Sequence, residues 1–144
     1  RREPFAVGRL DIDATGLVLL TDDGKWSHRL TAPKHKTDKL YEVTTADPIE
    51  DDAVAEFATG IVLRDDDEPT RPATLRVLTP NTAELVLHEG RYHQVKHMFA
   101  ALGNRVTALH RARIGTLALD PALAPGQWRE LTPTEVTNVS TTNK

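Results

Sequence analysis

Cysteine is absent from the 144 residues, which excludes disulfide frameworks, thiol nucleophiles and thiolate zinc sites together. Any nucleophile here is oxygen or nitrogen. Long apolar runs are missing too: none approaches the roughly 18 residues a membrane-spanning helix needs, and no basic-then-apolar leader opens the sequence. A cytoplasmic protein with no membrane partner is the expectation. No glycine-rich turn leads from a first strand into a helix, so a doubly wound nucleotide-binding fold is not indicated. Overall positive charge is lacking as well, the net value being -3.

What is present suits a single globular domain. The chain is long enough for a sizeable core and short for two independent ones. Its 39% hydrophobic and 27% charged residues are ordinary for such a domain. It opens Arg1-Arg2-Glu3, without methionine, so a longer protein with an upstream domain is expected.

The charge is unevenly laid out, and the average hides this. Residues 47–68 are acidic with Arg64 as the lone base, whereas residues 88–113 carry Arg91, Lys96, Arg105, Arg111 and Arg113 against Glu89 alone. A second basic stretch, "KHKTDK", spans 34–39. Brought together by the fold, these segments make a phosphate-facing surface; taken singly, each reads equally well as a solvated charged face.

Periodicity supplies the elements. "LVLLT" at 17–21, bounded by Gly16 and "DDG", reads as a buried strand, and Trp26 and Leu30 have helical spacing up to Pro33. "KLYEVTT" at 39–45 alternates as a half-buried strand. Asp47-Pro48 and the acids after it predict a capped helix closed by Gly60. "ATLRVLT" and "AELVLHE" form a hairpin about Pro80-Asn81. "RYHQVKHMFAALG" places Tyr92, Val95, Phe99 and Leu102 on one helical stripe, "NRVTALHRARIG" and "TLALD" return to strand, and Thr132 to Glu135 has the spacing of a capping box. Residues 140–144 read as a disordered tail. These elements predict an α+β domain over 1–139: a mixed, largely antiparallel β-sheet with flanking helices.

Several motifs could carry chemistry. Asp11-Ile12-Asp13-Ala14-Thr15 fits the D-x-D-x-T of magnesium-dependent aspartyl phosphatases in form, but Gly8 and Arg9 stand where that chemistry wants a buried strand. His93 and His97 have metal-sharing spacing, yet Gln94 stands where a metalloprotease needs its general base; no metal site is expected. "GRLD" by itself reads as a turn acid beside an arginine.

Four segments taken in order change this balance: "VGRLDIDATGLVLLTDDG" (7–24), "KLYEV" (39–43), "EGRYHQVKHMFAALG" (89–103) and "LHRARIGTLALDPALAPGQWREL" (109–131). As a set they resemble the RsuA/RluB/RluE/RluF family of RNA pseudouridine synthases, and within it the small-subunit type acting on 16S rRNA. The resemblance runs from about Pro4 to Val139 and implies the pseudouridine synthase fold, with an S4-like RNA-binding domain upstream of this chain. The implied activity is cofactor-free isomerisation of a uridine in small-subunit rRNA, or in its assembly intermediate, by a monomer.

By resemblance Asp11 is the catalytic aspartate, Lys96 the cation that keeps it ionised, and Tyr41 the ring that stacks on the flipped uracil. Arg9 matches the arginine that fills the gap left in the RNA. Lys34, Lys36, Lys39, Arg91, His93, Gln94, Arg111 and Arg113 are expected to contact RNA, with Ile114 and Leu131 as pocket walls. Asp13 is expected to be a structural turn or cap acid. The alternative from another class is an RNA-binding or ribosome-assembly module with a dead site.

Overall fold

The computed structural model describes residues 3–32, 37–64, 66–91 and 93–139. Its elements run β1 (Phe5–Ala6), β2 (Thr15–Gly16), β3 (Leu20–Thr21), α1 (Gly24–Thr31), β4 (Lys39–Thr45), α2 (Ala53–Thr59), β5 (Thr74–Thr79), β6 (Thr82–Leu87), α3 (Gln94–Ala101), β7 (Val106–Ile114), β8 (Leu117–Ala118) and α4 (Pro133–Val139). Alternation does what it predicts in β4, where Tyr41, Val43 and Thr45 are buried and Glu42 is exposed. Such a strand can be covered on one face and paired on both edges, and β4 lies between β6 and β7, antiparallel to each.

The main sheet has the order β2-β7-β4-β6-β5, with β8 hairpinned onto β7. Only β2 runs parallel to its neighbour, so the sheet is mixed and largely antiparallel, as expected. Helices α2 and α3 seal one core against it, where Phe57 and Phe99 meet in a tilted contact with centroids 4.9 Å apart. Burying each such ring contributes about 1.5–3 kcal/mol relative to leaving it in water.

A second core gathers Val7, Leu17, Leu19, Trp26, Leu30, Ile114, Leu117 and Val139. It ties the start of the chain to α1 and α4, and Trp26 Nε1 donates to the Val136 carbonyl at 3.0 Å. The expected capping box closes α4: Glu135 accepts from the Thr132 N–H and donates its own N–H to Thr132 Oγ.

Two local expectations differ from the structure. The 17–21 run is not one strand. Thr15–Gly16 pairs with β7 and Leu20–Thr21 pairs with β1, while Leu17 and Leu19 point into the second core between the two pairings. Helix α2 starts at Ala53, later than Pro48 suggested, and Asp52 at its N-cap is helical in conformation and makes no side-chain cap bond. The 140–144 tail and Tyr92 lie outside the described residues.

The loop of interest, residues 9–14, bridges the two cores. Val7 before it belongs to the second, and Ala14 after it packs against the first. Gly16 sits where this segment meets β7. Its φ is +114°, and a Cβ there would lie 2.2 Å from the Arg111 carbonyl oxygen, so only glycine fits this approach.

Candidate active site

Asp11 stands at the first position of a tight turn, closed by the Ala14 N–H donating to the Asp11 carbonyl at 2.9 Å. The turn sends the Asp11 and Asp13 side chains toward one end of α3. There Lys96 Nζ donates to Asp13 Oδ1 at 2.7 Å and lies 3.7 Å from Asp11 Oδ2. His93 Nε2 is 3.6 Å from Asp11 Oδ1. The spacing explains the pairing: residues three apart at the start of a helix share a face, so His93 and Lys96 approach the carboxylate from one side.

Asp13 is thus the closer partner of Lys96. Its hydrogen bond raises the Lys96 ammonium, chiefly through Asp13 and secondarily through Asp11, and holds the Asp13 carboxyl below the usual carboxylate range. His93 adopts φ 48° and ψ 40°, the left-handed region that costs a non-glycine residue, to deliver its ring here.

Tyr41 is buried on β4, directly across from Arg111 of β7. Burial pushes its hydroxyl up from the ordinary tyrosine value; the Arg111 guanidinium opposes that shift and the charge of Asp11 adds to it. Asp11, Tyr41 and Arg111 therefore share one electrostatic neighbourhood. Arg111 is only 2% exposed, and its Nε donates to the Leu17 carbonyl at 2.9 Å while Nη1 donates to that of Arg9 at 3.2 Å. The Leu17 N–H in turn donates to the Arg111 carbonyl at 2.8 Å. One arginine thus holds both ends of the segment carrying Asp11.

Several of the residues expected to contact RNA also make contacts within the protein. Arg111 is inside the protein and not on a phosphate-facing surface, because backbone carbonyls of the motif segment take its donors. Gln94 is 3% exposed: its Oε1 accepts from the Arg91 N–H and its Nε2 donates to Glu89, which makes it an internal brace at the start of α3. Arg91 is committed to Glu89, to Asp66 and to the carbonyls of Glu68 and Pro69. Arg113 is paired with Asp38 and with the Gly115 carbonyl.

Of the expected pocket walls, Ile114 is buried in the second core and Leu131 packs partly buried against that core. Arg9 is exposed beside Asp11 and Lys39 is partly buried at the head of β4. Lys34 and Lys36 lie outside the described residues. The bracing by Arg111 and the approach of His93 to Asp11 were missed in the sequence. Helical spacing from Lys96 was the available signal for His93; nothing local signals the Arg111 contacts.

The sequence profile of the family described as RNA pseudouridylate synthase matches residues 1–101. The chain is similar to the ribosomal small subunit pseudouridine synthase A of Salmonella typhimurium (strain LT2), 58% identical over 134 residues, covering 93% of this chain and 58% of the relative. The enzyme of that name from Escherichia coli (strain K12) is 55% identical over the same shares. The chain therefore spans a little under three-fifths of the length of these relatives. A crystal structure of a pseudouridylate synthase superposes with a TM-score of 0.92 at 54% identity, covering 94% of this chain and 59% of that one. The archaeal box H/ACA sRNP Nop10-Cbf5 complex, at 17% identity and a TM-score of 0.55, shares the fold. With a profile match over most of its length and an Asp11 loop held as described, this chain belongs to the RNA pseudouridylate synthase family.

Proposed function

We propose that this chain carries the isomerising half of a synthase that converts a uridine of small-subunit rRNA to pseudouridine, with Asp11 as the group acting at the ribose. The observation that carries the reading is the Asp11 carboxylate lying within 4 Å of both Lys96 and His93 and within electrostatic reach of Tyr41. A carboxylate meeting a neutral base in an enclosed site needs a nearby cation to stay ionised, and Lys96 is at hand.

The isomerisation breaks the ribose C1′–N1 bond and joins C5 to the same carbon, with no net redox change and no requirement for a cofactor. Neither atom can be worked on inside a helix, so the nucleotide must first leave its stack. Tyr41 offers a ring to receive the uracil, and exposed Arg9, next to the loop, is placed to enter the RNA it vacates. Asp11 then acts at the sugar by attack on C1′ or by taking the C2′ proton on the way to a glycal. We place the reaction in the cytoplasm, on rRNA or a partly assembled subunit, by a single copy of the chain.

The test is tritium release from small-subunit rRNA transcribed with 5-tritiated uridine, at low salt because phosphate-driven binding weakens steeply as salt rises. Release by the wild type and none by Asp11→Asn is the expected result. Silence of the wild type on naked rRNA and on ribonucleoprotein particles alike, with binding retained, would replace this reading by that of a binding module.

A further inference from the structure

Behind Tyr41 lie two cations with no anion of their own. Lys39 and Tyr41 are two apart on β4, so their side chains leave the same face, and Arg111 is the cross-strand neighbour of Tyr41 on β7. Arg111 Nη2 is buried and has no well-aligned acceptor, the Tyr41 hydroxyl alone lying near enough for its charge and a loose hydrogen bond to act on that hydroxyl. Lys39 is partly buried, with Nζ beside Gly90, and among the described residues no carboxylate comes within ion-pair distance of it.

The acids nearby are engaged elsewhere. Glu89 accepts from the Arg71 N–H, Arg91 Nε and Gln94 Nε2. Asp38 is paired with Arg113, and Asp11 and Asp13 share Lys96. Burial, and after it the charge of Arg111, push the Lys39 ammonium below the ordinary lysine range, with Asp38 and Glu89 pulling the other way. Two like charges held together in this way favour an incoming anion.

Neutral uridine is not that anion. When the C1′–N1 bond breaks, its electron pair leaves with the uracil and spreads over N1, O2 and O4; C1′ is meanwhile bonded to an Asp11 oxygen or becomes part of a glycal whose C2′ proton Asp11 holds. The ring stays anionic until C5 bonds C1′, expelling the Asp11 carboxylate from that carbon or, from the glycal, as Asp11 returns its proton to C2′; C5 then releases its proton and N1 gains one. We propose that Lys39 and Arg111 form an electrostatic floor behind Tyr41 that stabilises the detached uracil anion. This rests on the isomerase reading above and assigns Lys39 and Arg111 to the reaction itself in place of phosphate contact. Charge that exists only after bond breaking is stabilised only then, so the effect falls on the rate and not on substrate binding.

The experiment compares wild type, Lys39→Met and Lys39→Arg on small-subunit rRNA transcribed with uridine or with 5-fluorouridine, following single-turnover formation of the C5–C1′ bond by nucleoside chromatography; the fluorinated product keeps its fluorine at C5 and stays unaromatised, there being no C5 proton to release. Fluorine withdraws electrons and makes the ring a better leaving group that depends less on protein cations. Lys39→Met should lose about 10²-fold in rate on uridine RNA, and severalfold less on 5-fluorouridine RNA. Lys39→Arg should keep most of the rate, and the affinity of all three for RNA at fixed salt should agree. The ratio between the two RNAs does not depend on the fraction of enzyme folded, so a poorly folding variant still decides the question. Equal losses on both RNAs, a fully active Lys39→Met, or a loss seen as weaker affinity with a flatter salt dependence would each overturn the inference while leaving the isomerase reading intact. A wild type silent on uridine RNA would overturn both.

Discussion

Lys96 divides its ammonium between two carboxylates, lying 2.7 Å from Asp13 and 3.7 Å from Asp11. The shorter contact is with the more exposed acid, whose side chain is 67% accessible against 17% for Asp11. An exposed ion pair is worth little in water, so the Asp13 contact serves mainly to fix where the lysine stands.

The two aspartates should therefore separate cleanly. Asp11→Asn should cut single-turnover isomerisation by roughly 10²–10⁴-fold, with RNA affinity and melting temperature close to wild type. Asp13→Asn should stay within about tenfold of wild type, because an exposed pair contributes little and Lys96 remains beside Asp11. Near-normal turnover by Asp11→Asn, measured by tritium release, would remove Asp11 from the reaction.

His93 pairs a strained backbone with a ring set beside Asp11, and two substitutions can part them. His93→Gly accepts a φ of 48° without penalty, whereas His93→Ala does not. The glycine variant should be more stable than the alanine variant by about 1 kcal/mol, read from urea unfolding. Both should lose the same activity, since both lack the ring beside Asp11; a glycine variant as active as wild type would show that the ring is idle.

Gly16→Ala should destabilise the chain by more than about 1 kcal/mol. The added methyl group would meet the Arg111 carbonyl, and the two segments would have to part just where Asp11 is held. Thermal unfolding measures the loss, and its activity should fall further than its folded fraction.

The acid side of the stability curve should report the cap of α4. Hydrogen bonds from Arg129, and next from the Thr132 N–H, pull Glu135 from 4.5 down to about 2. A carboxylate with a depressed folded-state pKa contributes stability that is fully present above its unfolded value and is lost as pH falls through the folded one. Wild type and Glu135→Gln should thus differ in melting temperature above about pH 4.5 and converge as the pH approaches 2. A gap that persists at pH 2 would mean that the Glu135 charge is not its source.

Much of this was legible in the sequence where cause and effect are local. β4, β5 and β6 could be read because one face of each is buried and alternation records that. The α4 cap could be read because Thr132 and Glu135 satisfy one another across a single turn. The charge pattern at 88–113 counts charges without saying which way they point. Arg91 is tied at the surface to Asp66 and to carbonyls of the loop at 68–69, whereas Arg111 is drawn inward by carbonyls near the start of the chain. The 17–21 run looked like one strand because the two partners that divide it, β1 and β7, are invisible from within it. Asp11 was singled out by resemblance, and its neighbours Lys96 and His93 became visible only with the fold.

The parallel pairing of β2 with β7 sets an order of events during synthesis. Thr15 and Gly16 lie opposite His110 and Arg111, so the segment bearing Asp11 is among the first parts of this chain to be made and among the last to acquire its supports. Contacts so distant along the chain close late, because the intervening loop must lose its freedom first. A nascent chain that has not yet reached Arg111 carries the aspartate without the brace that aims it. The aim of the Asp11 carboxylate is in this way withheld until the chain has been made as far as Arg111.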